Sequence, residues 1–262
     1  MTAPDAAARG VRIERRAAGV SAIVLARPER LNALHGPSIA ALASALAALA
    51  EDRDTRAVIL SAEGPHFSAG GDLDWMSAED GRALHDYHGA VVASVRALVT
   101  FPKPVVAVVR GACAGGAVGF ALGADYVIAA RDAFFGVQVL RIGLVPDCAL
   151  TTLLARRVGL QRAKRLVLDD RRIDAAEAAT LGLVDLLSAP DALDAEALQL
   201  ATRLAHLPRQ AFARTKGLFE RTAGALDTLL EDERTAQAVC LGSDEFAEGV
   251  AAFRARRAPE FR

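Results

Sequence analysis

The chain has 262 residues, 52% of them hydrophobic, and a formal net charge of −1 at neutral pH. This length and apolar fraction suit one large folded domain, or one domain with an appendage. The balanced charge lacks the basic excess of nucleic-acid-binding proteins, and no apolar run reaches the roughly eighteen residues of a membrane span. The first ten residues lack the basic-then-apolar order of a secretory signal. We therefore expect a cytoplasmic protein with no nucleic-acid or membrane partner.

The three cysteines, Cys113, Cys148 and Cys240, are widely spaced and odd in number. This favours free thiols in a reducing compartment over a disulfide framework. No Cys-x-x-Cys pair or histidine-rich cluster indicates a metal site. Cys113 and Cys148 are expected to be packing residues and not nucleophiles, because neither has a histidine close by in the sequence.

The N-terminal half of the chain is predicted to alternate short strands with helices. Two β-branched segments, Val11–Arg16 and Val20–Leu25, flank a glycine turn and predict a hairpin. Short apolar runs predict further strands, and alanine- and leucine-rich runs that follow turns predict helices. The predicted helices are Gly36–Ala50, Asp80–Val99 and Ala117–Leu122, and the predicted strands are Val58–Ser61, Val105–Val109 and Tyr126–Ala129.

After Asp147 the sequence becomes mainly helical. The one later strand that we predict is Leu183–Leu186. No low-complexity linker separates the two halves, so the C-terminal helices are expected to pack on the rest of the chain. These helices are predicted near Thr151–Val158, Gln161–Leu168, Ala175–Leu181, Asp191–His206, Gln210–Thr222, Leu226–Leu241 and Ser243–Arg256.

Two glycine-bearing turns, about forty residues apart, are the most informative feature of the sequence. Residues 67–73 read FSAGGDL and residues 111–116 read GACAGG, and each turn follows a predicted strand and precedes a helical run. Glycine lets a backbone approach a ligand closely, and the ends of strands in α/β folds are where ligand sites form. Two N–H groups that converge from such turns can bind a carbonyl oxygen as it gains negative charge, which defines an oxyanion hole.

These motifs, with others in a fixed order, resemble the crotonase superfamily, which is the enoyl-CoA hydratase and isomerase family. The resemblance covers nearly the whole chain, and the order of the motifs is more specific than any one of them. The matching segments are 27–34 (RPERLNAL), 67–73, 111–125, 142–147 (IGLVPD), 177–184 and 248–259, which begins EGVAAF.

The resemblance implies an α/β fold built as a spiral of ββα units. Residues 1–200 would form this core with an acyl-CoA site, and residues 201–262 a helical region that packs on the core and on neighbouring subunits. A homotrimer or a hexamer, as a dimer of trimers, is implied. The implied ligand is an acyl-CoA thioester, with no cofactor beyond the CoA moiety of the substrate and no metal.

Site residues follow from the resemblance, position by position. Gly71 and Gly116 would supply the two oxyanion N–H groups. Arg30 could instead be a solvated surface charge, and Asp72 could instead cap the helix that follows it. Residues expected along the CoA path are Arg30, Ala33, Ala69, Gly71, Asp72, Leu73 and Gly116.

The two glutamates that hydratases of the family use are missing from this chain. The position three residues after the second oxyanion glycine is Gly119, and the position four residues before the glycine of the 143–146 segment is Val139. Neither side chain can move a proton. A hydratase of the standard mechanism is therefore disfavoured.

Asp147 is the carboxylate that remains. An aspartate at this place resembles the acid/base of family isomerases, where it would take the C2 proton of a 3-enoyl thioester and return it at C4. Alternatively, Asp147 is only the N-cap of the following helix. Burial would raise its pKa and a helix N-terminus would lower it, and the sequence leaves this open.

The aspartate also resembles the nucleophile of aryl-CoA dehalogenases, but these need a histidine on the preceding helix, and residues 90–104 contain none.

Several other polar or aromatic residues have two interpretations. His85 and His88 could hold a second acid/base group or form the solvated face of the second helix. His66 is expected to be structural. Trp75 and Met76 could line an acyl pocket or simply pack in the core.

The leading hypothesis is an enoyl-CoA isomerase with Asp147 as acid/base. The first alternative is a hydratase-like lyase, or a CoA-thioester hydrolase, that acts on an unusual acyl group. The second alternative is a non-catalytic acyl-CoA-binding protein that has kept the oxyanion hole.

Overall fold

The computed structural model describes residues 10–222 and 226–260. The expectation about a secretory signal falls largely on residues 1–9, which lie outside the described part. Within it, no helix combines the length and the apolar character needed to cross a membrane.

The centre of the molecule is a six-stranded sheet. The hairpin strands β1 and β2 pair antiparallel, and the other neighbours pair in parallel, in the order β1-β2-β3-β4-β6-β9. Strands β2, β3 and β4 are almost wholly buried runs of apolar residues, as expected for a parallel sheet covered on both faces. The strands of this sheet are β1 Val11–Ala17, β2 Val20–Leu25, β3 Ala57–Ala62, β4 Val105–Val109, β6 Tyr126–Ala130 and β9 Leu186–Ser188.

A second sheet of three short strands lies beside the first. It consists of β5 (Ala112–Ala114), β7 (Phe134–Gly136) and β8 (Arg172–Asp174), in that order. The chain passes from β4 to β5 and from β6 to β7, so these two long strands are each followed by a short strand of the second sheet and later by a helix. Ser68, after β3, makes an equivalent parallel bridge to Cys113 on β5. This repeated order is the predicted spiral of ββα units.

Eleven helices surround the sheets in the described residues. Helix α1 packs on β1, β2 and α3, whereas α8 packs on the central strands β3 and β4. The side chain of Asp80 caps α3 by accepting from the N–H of Ala83 at 2.8 Å. The helices are α1 Gly36–Glu51, α2 Leu73–Met76, α3 Gly81–Val99, α4 Gly116–Leu122, α5 Leu150–Val158, α6 Leu160–Leu168, α7 Ala175–Leu181, α8 Leu193–Ala205, α9 Arg209–Thr222, α10 Leu226–Leu241 and α11 Asp244–Ala255.

One predicted strand was wrong in its position. Leu183 and Val184 are buried, but their N–H groups donate to the carbonyl of Ala178 and close the C-terminus of α7. Gly182, in the left-handed region at φ +83°, makes this closure possible. The strand therefore begins only at Leu186.

The sequence analysis missed β5, β7 and β8, because three-residue strands have too few side chains to show an alternating pattern.

Candidate active site

The two glycine-bearing turns predicted from the sequence lie against each other. Ser68 donates its N–H to the carbonyl of Ala112 at 3.0 Å, and Ala114 returns a bond to the carbonyl of Ser68 at 2.9 Å. A Cβ atom at Gly70 would lie 2.7 Å from the carbonyl oxygen of Ala114. Only glycine at position 70, where φ is +90°, permits this approach of the two backbones.

Gly71 and Gly116 each present an N–H group that has no acceptor among the described residues. The first turn is held by its neighbours, because Leu34 donates to the carbonyl of Gly70 at 2.7 Å and accepts from Asp72 at 3.0 Å. Gly116 is the first residue of α4, where backbone N–H groups lack a partner within the helix. Both glycines line one cavity. Two N–H donors in the wall of one cavity are the groups that an oxyanion hole needs.

The cavity between these turns has a volume of about 210 Å³. The hydroxyl of Tyr87 is also in its wall and donates to the carbonyl of Leu34 at 3.1 Å, so this polar group is already used. Much of the remaining lining is apolar, and it includes Leu34, Ile39, Met76, Val91, Phe120 and Leu144.

Asp147 reaches this cavity beside Gly116. A Cβ atom built on Gly116 would lie 3.1 Å from the Oδ1 atom of Asp147 and 2.8 Å from the sulfur of Cys148. Burial raises the pKa of Asp147 to about 6, although a hydrogen bond from the Cys148 thiol opposes the rise. The sequence left open whether burial raises the pKa of Asp147 or a helix N-terminus lowers it. In the structure, burial has the larger effect and the pKa is raised.

Asp147 is not the N-cap of α5, so that alternative interpretation was wrong. The helix begins at Leu150 and its N-cap is Ala149, two residues after Asp147. Cys148 and Ala149 both lie in the left-handed region, at φ 58° and 55°, which is uncommon for residues other than glycine. The carboxylate of Asp147, directly before this turn, lies in the wall of the cavity.

Two side chains of α10, missed in the sequence analysis, hold the segment that carries Asp147. Glu233 accepts from the N–H of Ala149 at 2.9 Å, and Gln237 accepts from the N–H of Val145 at 3.2 Å. Both side chains are buried, and Gln237 also lines the cavity. Their signal in the sequence was two polar residues spaced i, i+4 on one face of a helix. Such a pair is common on solvated faces, so it indicated nothing by itself.

The two positions that carry glutamates in hydratases are unsuited to that role here. Val139 lies in the wall of the cavity. At Gly119, a Cβ atom would lie 2.4 Å from the carbonyl oxygen of Cys148, so no larger side chain fits without moving the Asp147 turn. The absence of a carboxylate at position 119 is therefore linked to the path of the chain through residues 147–149.

The residues expected along the CoA path have several structural partners. Asp72 caps α2 by accepting from the N–H of Trp75 at 3.2 Å, which confirms the cap interpretation, and its carboxylate also pairs with Arg27 and Arg30. Arg30 is half exposed and bonds Asp74 at 2.6 Å as well. Ala69, Gly71, Leu73 and Gly116 line the cavity, whereas Ala33 is buried outside it. Contact of these residues with CoA stays a prediction.

The two histidines of α3 differ from each other. His85 is exposed, and its Nε2 atom lies 3.0 Å from the guanidinium of Arg234, as expected for a solvated face. His88 is buried and its Nε2 atom has no hydrogen-bond partner among the described residues, so the solvated interpretation is wrong for this residue. Burial lowers the pKa of His88 to about 4. Neither ring is in the wall of the cavity that contains Asp147.

The other residues with two interpretations are also placed by the structure. The Nδ1 atom of His66 accepts from the N–H of Ala112 at 3.1 Å, a structural role as predicted. Met76 lines the cavity, and Trp75 packs behind it with its ring 5.1 Å from that of Tyr87.

The described cysteines are free thiols. Cys113 is buried, as expected of a packing residue. Cys148 is buried too, and it lines the cavity next to Asp147. No group of three or more potential metal ligands occurs among the described side chains.

Comparison with known proteins identifies the class to which this fold and site belong. The sequence profile of the enoyl-CoA hydratase/isomerase family matches residues 15–262. The chain is 36% identical to an enoyl-CoA hydratase from Mycobacterium avium subsp. paratuberculosis, whose crystal structure superposes with a TM-score of 0.88, covering 97% of this chain and 98% of that one. The protein thus belongs to the enoyl-CoA hydratase/isomerase family, within the crotonase superfamily.

Two curated relatives from Escherichia coli have different activities in their names. The chain is 35% identical to 1,2-epoxyphenylacetyl-CoA isomerase, over 93% of this chain and 95% of the relative. It is 32% identical to 2,3-dehydroadipyl-CoA hydratase, over 92% and 94% respectively. Family membership therefore leaves open whether this chain isomerises or hydrates its substrate.

Proposed function

We propose that the protein is an enoyl-CoA isomerase that moves a double bond by proton transfer through Asp147. The observation that carries the proposal is the position of the Asp147 carboxylate, close to Gly116 in a largely apolar cavity that Gly71 also lines. A base and two oxyanion donors at one site are the groups that this reaction needs.

The reaction would begin with removal of the C2 proton of a 3-enoyl thioester by Asp147. The electron pair of the broken C–H bond moves into a dienolate, whose negative oxygen accepts hydrogen bonds from the N–H groups of Gly71 and Gly116. The same carboxyl group then gives the proton back at C4, and the product is the conjugated 2-enoyl thioester. No atoms are gained or lost.

The raised proton affinity of Asp147 suits both halves of this transfer. With a pKa of about 6, the group is mostly ionised at neutral pH and can accept a proton. The protonated form of Asp147 is a weaker acid than an exposed carboxyl group. It therefore keeps the proton until the proton is returned to carbon.

Hydration is less well supported than isomerisation. Addition of water needs one group to activate the water and another to protonate the α-carbon, and the hydratase positions are Gly119 and Val139. The 1,2-epoxyphenylacetyl-CoA isomerase relative supports isomerase chemistry on a CoA thioester, although other relatives are named hydratases.

The test is proton exchange at C2 and C4 of a 3-enoyl-CoA in D₂O, followed by NMR, with mass spectrometry for 3-hydroxyacyl-CoA. Asp147→Asn keeps the size of the side chain and removes the base, and we expect exchange to fall by about 10²- to 10⁴-fold. The control is Asp54→Asn, an exposed aspartate on the α1–β3 connection, which should exchange like the wild type.

Each other outcome contradicts the proposal. Equal exchange by wild type and Asp147→Asn would show that another group is the base. A hydroxyacyl product that survives this substitution would favour a hydratase-like lyase. Binding of the acyl-CoA with no exchange by the wild type would favour a binding protein.

A further inference from the structure

We infer that Gln237 of α10 binds the acyl group of the substrate by donating a hydrogen bond from its side-chain amide to an oxygen atom of that group. The substrate class that this implies is an acyl-CoA whose acyl chain bears an oxygen besides that of the thioester carbonyl. This role rests on the acyl-CoA ligand of the proposed function, but not on the reaction that follows binding.

The orientation of the Gln237 amide is fixed by the backbone that it contacts. A side-chain amide has an oxygen atom, which only accepts hydrogen bonds, and an –NH₂ group, which only donates them. The N–H of Val145 is a donor, so the amide atom 3.2 Å from its nitrogen is the oxygen Oε1. The –NH₂ group of Gln237 is therefore left to bond another partner.

This –NH₂ group has no acceptor among the residues that the structure describes. Three buried side-chain atoms in the same part of the chain lack both a partner and accessible surface, and they are Arg56 Nε, His88 Nε2 and Asp170 Oδ1. The nitrogen of Gln237 is not one of them, so it keeps accessible surface although the residue is only 2% exposed. Because Gln237 lines the cavity that contains Asp147, the cavity is where this surface is exposed.

The other polar side chains that donate hydrogen bonds in the cavity wall already have protein partners. They are Tyr87, which donates to Leu34, Cys148, which donates to Asp147, and Gln138 and Arg141, which both bond Asp170. The side chain of Arg141 is also 59% exposed, so solvent satisfies its remaining N–H groups. In the described cavity wall, Gln237 thus supplies a buried side-chain donor that is still available to a ligand.

An acyl group that fills the cavity separates this donor from solvent. An aliphatic group next to it would leave the –NH₂ group buried and unpaired, which costs free energy, whereas an oxygen atom would accept its hydrogen bond. In the proposed reaction, the N–H groups of Gly71 and Gly116 bind the thioester oxygen, so Gln237 is left for a second oxygen. Val145, which Gln237 contacts, is two residues before Asp147, and this places the second oxygen on the part of the acyl chain near the base.

The test uses saturated thioesters, which have no double bond to move. They are hexanoyl-CoA and its 3-oxa, 4-oxa and 5-oxa analogues, in which an ether oxygen replaces one CH₂ group and can only accept a hydrogen bond. We expect the wild type to bind one of the oxa analogues about 3- to 10-fold more tightly than hexanoyl-CoA, as measured by isothermal titration calorimetry. Mass spectrometry of the recovered ligand checks that it stayed intact.

The variant for this test is Gln237→Met, which keeps the length of the side chain and removes the –NH₂ group. The preference for the oxa analogue should disappear or reverse, because its oxygen is then buried without a donor. The control is Gln161→Met, an exposed glutamine of α6, which should keep the preference of the wild type. The ratio of two affinities within each protein removes any general weakening caused by loss of the contact with Val145.

Two results would overturn the role of Gln237 and leave the proposed function intact, since hexanoyl-CoA binds in both. One is a wild type that prefers no oxa analogue to hexanoyl-CoA, and the other is a preference that Gln237→Met retains. Binding of none of the thioesters would overturn the proposed acyl-CoA ligand as well. If Gln237→Met does not fold, a crystal structure of the wild type with the preferred analogue decides. We expect Nε2 of Gln237 at about 2.7–3.2 Å from the ether oxygen, and a separation beyond about 3.5 Å would contradict the hydrogen bond.

Discussion

At the scale of single residues, the site depends on close contacts that leave no room for substitution. Gly119 on α4 lies against Cys148, and this contact allows the Asp147 turn to approach the second glycine-bearing turn. The same contact excludes the side chain that a hydratase needs at position 119. One glycine therefore connects the shape of the turn to the chemistry that the site can perform.

The contact predicts that Gly119→Ala destabilises the protein. The new methyl group would lie 2.4 Å from the carbonyl oxygen of Cys148, which is a backbone atom and cannot rotate away. We expect a loss of about 1–3 kcal/mol in the free energy of unfolding, measured by urea denaturation.

The matched control for this change is Gly89→Ala in α3. A Cβ atom at Gly89 has no neighbour within 4 Å. Alanine in a helix interior should then stabilise the protein by about 0.5–1 kcal/mol. Equal effects of the two substitutions would contradict the steric argument.

At the scale of elements, the C-terminal helices contribute to the core and the site and are not a separate appendage. Helix α10 supplies Glu233 and Gln237 to the Asp147 segment, and α9 supplies Lys216 to Asp125, which directly precedes β6. Most helices and the long strands could be predicted, because their apolar periodicity is local. The three short strands could not, since their pairing with distant partners, and not their composition, defines them.

Lys216 gives a prediction at this scale. Its ammonium group lies 2.9 Å from Oδ2 of Asp125, which also accepts from the N–H of Val105 at 2.8 Å. Lys216 is 9% exposed and Asp125 20%, so loss of the cation leaves a largely buried carboxylate without its partner.

We therefore expect Lys216→Met to lower the free energy of unfolding by about 1–3 kcal/mol. The exposed Lys164 of α6 provides the control, and Lys164→Met should change stability by less than about 0.5 kcal/mol. Urea denaturation of both variants at neutral pH is the measurement. A loss no larger in Lys216→Met than in the control would show that α9 is held by its apolar contacts alone.

At the scale of the whole molecule, buried titratable groups make stability depend on pH in opposite directions. Asp147 and Glu233 have raised pKa values, so the stability that their protonated forms contribute is lost as the pH rises from about 4 to about 6–7. His88 has a lowered pKa, so its protonation on unfolding reduces stability in acid.

Large exposed apolar side chains such as Leu168, Val239 and Phe253 are compatible with subunit contacts, but the trimer or hexamer stays a prediction.

His88 provides the prediction for acid. The folded protein binds a proton at His88 only near pH 4, whereas the unfolded chain binds it near pH 6.5, so unfolding takes up a proton between these values. Stability should fall by about 2 kcal/mol between pH 7 and pH 5 from this residue alone. In His88→Leu that part of the loss should disappear, as measured by urea denaturation at the two pH values.

The control for this experiment is His85→Leu, because His85 is on the same helix and exposed. It should keep the acid sensitivity of the wild type. The contributions of Asp147 and Glu233 are common to all three proteins and cancel in the comparison. If His88→Leu loses stability in acid as steeply as the wild type, His88 is not buried as a neutral ring.

The sequence by itself determined the family, the α/β class, most helices and the positions of the two glycine turns and Asp147. These features depend on local periodicity and on motif order, which are properties of the chain as written. Only the tertiary structure decided that Asp147 faces the cavity and does not cap α5, and that Glu233 performs the capping. The reason is physical: capping partners and burial arise between residues such as Ala149 and Glu233, which are far apart in sequence and become neighbours only in the folded chain.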